Sequence, residues 1–545
     1  MELINKKFKS IPAYFWVLLA IILAGAFLRT YNLREWLEFR SDQTRDAYLV
    51  GDVLAGKTSL PLLGPYMSYS GAGDHSEENS FHLGPIYYYF QIFSAKIFGN
   101  QPYHLAFPDV FFSILSIPLF FLFLRVYFGE KLSLGIVVLY AFSAYFIGYS
   151  RFAWNSNLIP FFVLLFLFSL YKFLASFEKK MYSWAVLLGF AWGVGFQVHA
   201  IIMVIFSCII FLSFLFSMKK NPKSWMKWAV VGILFIVLNA SQIISEMHTG
   251  FSNAKTLFNF SSHDSSSTIA EGKFELALND ANCTIEANAH FLSYYGSKNC
   301  SYGISKFIPD VNIKGISEVL KNKVYWLTLL ASIIFSFLGY FLMIYYVIKE
   351  KKKDKKLFLS LIVLYAGITF LFMIPLSSSK LDDLRYFIPI FFVPYMFIGF
   401  IFKFISEKLN KKYVILATLI IFPLLIFSNV VNVLPRVNKL VNKDRTCSSH
   451  YVTLGELEPV ADYIITSLDK QKNLYIGGNS ELSAAIDPVV YLLKKQGFNP
   501  VKIVVAEEAL KSTEKNVFFI SCKSKFKDIY NYEKIDNIYV YKIKN

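Results

Sequence analysis

The sequence predicts an all-α polytopic membrane protein carrying a small α/β domain at its C-terminus. Three observations predict it. Of 545 residues, 55% are hydrophobic and 18% aromatic, with 56 Phe and 34 Tyr and a mean hydropathy of +0.45. Apolar runs of about 20 residues, the length that crosses a bilayer, recur along the first 432 positions. From 433 onward the composition changes to short strand-like and helix-like segments.

The apolar runs place spans near 11–28, 105–124, 132–149, 158–176, 183–198, 200–217, 228–246, 324–348, 357–375, 387–405 and 413–432, about eleven in all. No small-residue cleavage site follows the first run, so it reads as a retained helix. With the N-terminus on the cytoplasmic side, the short inner segments hold twenty-one Lys and Arg and the short outer ones three. That asymmetry sets the orientation. It also accounts for the net charge of +17, because the lysines sit between apolar runs; nucleic-acid binding is therefore not expected. Three large polar pieces fall outside, at 29–104, 247–323 and the tail 433–545. The expected localisation is the cytoplasmic membrane, with the C-terminal domain extracytoplasmic.

Cysteine usage agrees with that sidedness. Cys208 sits in a span, Cys283 and Cys300 share the second outer loop, and Cys447 and Cys522 share the tail. Two even sets on an oxidising face suggest two disulfides, although spacing does not establish the pairing. Asn-x-Ser/Thr triplets at Asn259, Asn282 and Asn299 lie on the same side. In the tail, 460–467 and 489–495 read as helices, and 473–476, 501–505, 517–520 and 538–541 as strands. Gly477-Gly478 lacks the glycine spacing of a nucleotide fingerprint.

No Walker loop, His-Glu-x-x-His, Gly-x-Ser-x-Gly or Cys-x-x-Cys occurs, and no internal repeat is evident. Candidate chemistry gathers where spans meet the outer face. The first loop opens on Glu38-Phe-Arg-Ser-Asp-Gln-Thr-Arg-Asp46. Ser41 or Asp42 can cap a helix there and Gly56 can end it. Asp42 and Asp46 are four apart and share a face, with Arg45 beside them. Leu49, Val50, Val53 and Leu54 supply an apolar side, as in a helix lying on a membrane surface. Further candidates are His82 and Tyr87 in the interrupted apolar stretch 82–98, which reads as interfacial or re-entrant. Arg151 and Asn155 follow in a polar loop, then His199 at a turn, and Lys380, Arg385 and Tyr386 before a late span. Ionisable groups at membrane depth are costly, so their convergence on one face marks a site. Asp42, Asp46, His75, Glu77, Glu78 and His82 also share the first loop. They form a candidate set for a divalent metal, in a segment that reads equally as a solvated loop.

Taken in order, Asp42-Gln-Thr-Arg-Asp46, Leu83-Gly-Pro-Ile-Tyr-Tyr-Tyr89, Arg151-Phe-Ala-Trp-Asn155, Gln197-Val-His199 and Arg385-Tyr-Phe-Ile-Pro389 resemble the motifs of the GT-C class of membrane glycosyltransferases. The likeness is to the bacterial relatives of protein O-mannosyltransferases and of lipid A aminoarabinose transferases, over roughly 11–430. Gln43 stands where many relatives have Glu, and Leu83-Gly84-Pro85 where a Lys-Pro-Pro triplet is common. The resemblance implies a polyprenyl-phosphate sugar donor, a hydroxyl acceptor on a glycolipid, polysaccharide or protein, and inverting transfer. It implies Asp42 as general base, with Asp46 as second candidate or as the partner that orients Arg45. Arg385 and Lys380, then Arg151, His199 and Tyr386, would meet the donor phosphate, and Asn155, His82 and Tyr87 the acceptor or its loop. The competing readings are a glycan polymerase or ligase using a diphosphate-linked donor, and a transporter of lipid-linked glycan. Charges at one face and the absence of internal symmetry disfavour the transporter.

Overall fold

The computed structural model describes residues 12–67, 80–175, 181–257, 273–294, 323–373, 384–442, 452–468, 474–478, 483–503, 517–522 and 530–543. Helix α1 (Ala13–Thr30) leads into a polar segment containing α2 (Ser41–Leu54), the two-residue strands β1 (Tyr66–Met67) and β2 (Phe81–His82), and α3 (Ile86–Phe98). A tightly packed bundle follows: α4 (Phe107–Phe128), α5 (Glu130–Ala141), α6 (Ala144–Tyr149), α7 (Ile159–Ala175), α8 (Met181–Val198) and α9 (Ala200–Lys220). After it come α10 (Trp225–Leu238), α11 (Ala240–His248), α12 (Lys273–Ser293), α13 (Lys323–Lys349), α14 (Lys353–Met373), α15 (Phe392–Lys408) and α16 (Lys411–Val441).

This is a multi-pass membrane protein, but its spans are less uniform than the hydropathy suggests. Among the described residues seven helices are long and apolar enough to cross a membrane, or nine if two bent pairs each count as one span. The expected span 132–149 is broken at Phe142-Ser143 into α5 and α6. The expected span 228–246 bends by 61° where Asn239 turns its amide onto the carbonyls of Gly193 and Phe235. The expected span 387–405 starts as a 3-10 turn, Leu384–Ile390, which contains Pro389 and meets α15 at 56°. A proline cannot donate to the helical ladder, so a break there is cheap. The last helix runs past the expected domain boundary at 432 to Val441. Its outer side leaves Leu419, Leu424 and Phe427 uncovered, as suits a lipid-facing helix.

Helix α12, inside the second outer loop, has no counterpart in the sequence reading. Asn282, Thr284, Glu286, Asn288 and His290 are all buried, and Asn288 donates to Ser336 of α13. Asn282 donates to Glu286 and is enclosed, which leaves no space for a glycan. Asn259 and Asn299 lie outside the described residues. The end of α12 is capped entirely by side chains from elsewhere. Ser143 and Tyr395 donate to Phe291 O, Asn429 to Leu292 O, and Ser428 to Ser293 O. Terminal carbonyls of a buried helix need such donors.

In the tail, α17 (Leu454–Thr466) and α18 (Ser483–Lys495) accompany a five-stranded sheet of β3 (Tyr475–Gly478), β4 (Val501–Ile503), β5 (Val517–Ser521), β6 (Asn531–Ile535) and β7 (Ile538–Ile543). The strand order is β4-β3-β5-β7-β6, parallel across the first three and antiparallel thereafter. Strand β6 escapes the sequence reading because Asn531, Glu533 and Lys534 leave it without alternation. Cys283 and Cys522 are both disulfide-bonded and Cys208 is free; Cys300 and Cys447 lie outside the described residues.

Asn429 alone links three elements. Its Oδ1 accepts from Ala144 N at 2.9 Å, and its amide reaches Leu292 O at 2.6 Å. Replacing Asn429 by Ala strands buried donor and acceptor groups at a cost of about 1–3 kcal/mol. The expected outcome is a lower apparent unfolding temperature of the detergent-solubilised protein, whereas Thr418→Ala on the exposed side of the same helix leaves it unchanged.

Candidate active site

Helix α2 carries the acidic motif, and its geometry separates the two carboxylates. The cap position is Arg40, whose N–H donates to Gln43 Oε1 at 3.2 Å, so Ser41 and Asp42 fall inside the first turn. Gln43 reaches across the molecule to donate to Ala153 O at 2.9 Å. Asp46 is buried and accepts from Arg45 Nη2 at 2.8 Å and from Nε at 3.1 Å. Arg45 Nη1 stands 3.4 Å from Asp42 Oδ1, and the Asp42 side chain is 64% exposed. One guanidinium therefore connects an enclosed carboxylate with an open one. Burial pushes Asp46 up to about 6, against the pull of Arg45. Burial also opposes the charge of Arg45, but Asp46, Tyr88 and Asp42 outweigh it and hold the guanidinium above its ordinary value. Tyr88 hydrogen-bonds to Asp46, while Tyr66 lies under Arg45 with its ring centre 5.1 Å away.

The apolar side of α2 does not lie on a membrane. Ala47 and Val50 are buried, and Tyr48 meets Tyr491 of α18 edge-on at 4.9 Å. The C-terminal domain covers that face, which is why its hydrophobic residues need no lipid.

The loop 150–158 is the hub. Trp154 N donates to Asp109 Oδ1 at 3.1 Å, and Tyr87 OH donates to Asp109 Oδ2 at 3.0 Å. Asp109 is fully buried in the first turn of α4, where a helix N-terminus favours a carboxylate. Tyr87, expected beside an acceptor, is thus an internal strut; its neighbour Tyr88 faces the acidic pair. Asn155 donates to Val198 O at 2.6 Å and is buried, so its amide holds the end of α8. Arg151 donates to Leu28 O and Tyr31 O at 2.9 and 2.6 Å and lies over Trp36, fixing the end of α1. Burial, then Arg436, lowers it to about 10. With two carbonyls already bound, Arg151 is placed as a brace.

His199 caps α9. Its Nδ1 accepts from Ile201 N at 3.2 Å, which leaves the proton on Nε2. Burial, with Arg385 nearby, lowers it to about 4, so the imidazole is neutral at physiological pH. Gln197 accepts from Ile86 N at the start of α3 and donates to Leu238 O. It lies against Gly84, where an added Cβ would come within 2.2 Å of it, so the site tolerates only glycine between Leu83 and Pro85. His82 is held by Gly64 O and, through its backbone, by Asn253. Its ring is 5.8 Å from Tyr66, at the edge of the acidic pair.

Arg385 is exposed on the 3-10 turn. It lies over Trp154 at 5.7 Å and over Tyr386 at 5.1 Å, and donates to Tyr386 OH at 3.3 Å. Lys380 lies outside the described residues, as do His75, Glu77 and Glu78 of the candidate metal set. Among the described residues no three His, Cys, Asp or Glu side chains converge as metal ligands. The structure brings together Asp42, Arg45 and Asp46 and joins them to Arg385 through Ala153-Trp154. The backbone carbonyl of Ala153 holds Gln43, and the adjacent indole carries Arg385. An open carboxylate can take a proton, and an exposed guanidinium on an aromatic face can bind an oxyanion. Sequence reasoning missed Tyr88, Asp109 and the role of Trp154; Trp154 stood inside a motif, but Asp109 read as part of an apolar run.

Asp109 accepts from both Trp154 N and Tyr87 OH. Asp109→Ala is expected to destabilise the protein by about 1–3 kcal/mol. Tyr87→Phe, which removes one donor and leaves the other bond, should cost less; thermal unfolding of the two variants checks this ranking.

Residues 82–242 match the family described as dolichyl-phosphate-mannose-protein mannosyltransferase. A search of curated protein sequences finds no match. Among solved structures, the chain is similar to ArnT from Cupriavidus metallidurans in the apo state, at 12% identity over 97% of both chains and a TM-score of 0.50. ArnT bound to undecaprenyl phosphate gives 12% identity, 97% and 98% coverage, and the same TM-score of 0.50. The archaeal oligosaccharyltransferase AglB from Archaeoglobus fulgidus, in complex with an inhibitory peptide and a dolichol-phosphate, gives 11% identity over 93% of this chain and 69% of that one, with a TM-score of 0.51. Residues 82–242 thus resemble the protein mannosyltransferases, and the chain as a whole shares its fold with ArnT and AglB.

Proposed function

We propose that this protein is an inverting glycosyltransferase of the GT-C class that moves a sugar from a polyprenyl-phosphate donor to a hydroxyl acceptor at the outer face of the cytoplasmic membrane. The observation that carries the reading is the open Asp42 carboxylate beside Arg45, joined through Ala153-Trp154 to the exposed Arg385. ArnT holds undecaprenyl phosphate and AglB a dolichol-phosphate, which supports a lipid phosphate in the corresponding role here. The excess of basic residues on the opposite face supports the sidedness.

In this reading Asp42 takes the proton of the acceptor hydroxyl as its oxygen attacks the anomeric carbon. The bond from that carbon to the phosphate oxygen breaks with its electron pair, and the lipid phosphate leaves. Arg385 offsets the charge that develops on the phosphate. Its stacking on Trp154 holds the planar guanidinium in a defined orientation, so little freedom is lost on binding. Asp46 fixes Arg45, which stands 3.4 Å from the Asp42 carboxylate. His199, neutral and already committed through Nδ1, is available to donate only through Nε2.

The test is transfer by the full-length protein in lipid. Synthetic polyprenyl-phosphate sugars serve as donors, envelope extract supplies acceptors, and release of polyprenyl phosphate is followed. Asp42→Asn should lower the rate by about 10²–10⁴-fold, the usual contribution of a general base. Unchanged transfer in that variant overturns the assignment of the base. Transfer only from a diphosphate-linked donor would replace the reading with that of a polymerase or ligase.

The pH profile is a separate expectation. Asp46 is ionised above about 6 and neutral below it, so acid removes the charge that pairs with Arg45. Transfer should therefore fall as pH drops through about 6. In Asp46→Asn this step should vanish, leaving a lower and flatter profile.

A further inference from the structure

The motif that opens the first loop begins at Glu38, four residues before Asp42, and the mechanism above makes no use of it. Glu38 is buried, and its side chain is only 11% accessible. It accepts from Arg40 Nη2 at 3.0 Å and from Arg436 Nη2 at 2.5 Å. Arg40 is the cap residue of α2, and Arg436 stands near the end of α16, just before the chain enters the C-terminal domain. The backbone on both sides of Glu38 is bound to the start of that domain. Phe39 N donates to Val452 O, Leu454 N to Leu37 O, and Gly455 N to Glu35 O, while Glu38 forms a bridge with Thr453. The other end of α2 is held by the same domain, through Tyr491 against Tyr48 and Lys494 over the Tyr48 ring.

We propose that the C-terminal domain is a positioning element for the acidic helix, and that Glu38 is the residue through which it sets the first turn of α2. The proposal rests on Asp42 being the site carboxylate. The physical reason is placement. Asp42 is exposed, and its one ion pair, to Arg45 at 3.4 Å, is long, so its side chain is located mainly by the backbone of the helix start. That start is held by Gln43 on Ala153, by Phe39 N on Val452 O, and by the Arg40 and Arg436 guanidiniums on Glu38. The two guanidiniums meet on a single carboxylate, which ties the end of α16 to the cap of α2 beside the first residues of the C-terminal domain. Positioning errors of about 1 Å are enough to cost a reaction about 10²-fold.

Two variants of the full-length protein in lipid test this. Glu38→Gln keeps the shape and removes the charge. Gly455→Ala attacks the same junction without touching any charge, because an added Cβ would lie 2.8 Å from Glu35 O. Two readouts are needed. Hydrogen exchange of residues 41–47 should quicken in both variants while the membrane helix 159–175 keeps its protection. In the transfer assay kcat should fall by about 10- to 100-fold with the donor KM within about twofold, as expected for misplacement of a group that acts in the transition state. Unchanged exchange at 41–47 in both variants overturns the proposal whatever the activity. Faster exchange across the whole protein also overturns it, since Glu38 would then be a general stability residue. Should no donor be used even by the unaltered protein, the exchange readout still decides the positioning claim, and only the functional reading fails.

Discussion

A carboxylate enclosed by protein must find donors, and the fold around the site follows from how Asp109 finds them. Its oxygens take the Trp154 N–H and the Tyr87 hydroxyl, and Asn157 adds a third bond. With Asp109 itself on α4, those groups belong to α3 and the loop after α6, so burial of one carboxyl group draws three separate parts of the chain to one point. Once Trp154 is there, its neighbours are placed as well. Ala153 presents its carbonyl to Gln43 and thereby locates the acidic helix, Asn155 grips the end of α8, and the indole offers a face to Arg385. The open charges at the surface are thus arranged by an enclosed carboxyl group beneath them.

The two carboxylates of the acidic motif illustrate how environment divides equivalent residues. They lie four apart on one helix and share one arginine, yet one is enclosed and the other faces solvent. The enclosed one is held by Arg45 and Tyr88, while the exposed one meets Arg45 at a longer 3.4 Å. A similar division holds among the arginines. Arg151 is turned onto backbone carbonyls, while Arg385 is exposed and lies over the faces of Trp154 and Tyr386.

Much of this was legible in the sequence, for reasons that differ by residue. Hydrophobic runs located the helices, since lipid imposes a minimum length. Asp42, Asp46 and Arg385 stood out because charges beside apolar runs are conspicuous. Asp109 did not, because it is one polar residue within a long apolar stretch and its partners are distant in the chain. Helix 273–293 was hidden because its Asn, Thr and Glu residues resemble those of a loop, and only the packing of α13, α15 and α16 around it makes burial tolerable. The breaks at 142–143 and 239 were equally hidden, since each depends on a polar side chain satisfied by a remote backbone group. The contact between the first loop and the C-terminal domain joins residues about four hundred positions apart, and no local pattern announces it.

The capping of helix 273–293 has a consequence for how the chain is made. The carbonyls of residues 291–293 are satisfied by side chains of Ser143, Tyr395, Ser428 and Asn429. Two of those donors belong to α16, the last helix to enter the membrane. During synthesis Ser143 is already present to receive Phe291 O, but the carbonyls of Leu292 and Ser293 lack their side-chain donors until nearly all of the membrane part has been inserted. The 3-10 turn bearing Arg385 packs on the same helix, so the side of the site that carries Arg385 is completed only at that stage. A nascent or prematurely ended chain would already present its acidic residues at the membrane but lack the assembled cation opposite them. Assembly of the site around Arg385 is thereby coupled to arrival of the last membrane helix.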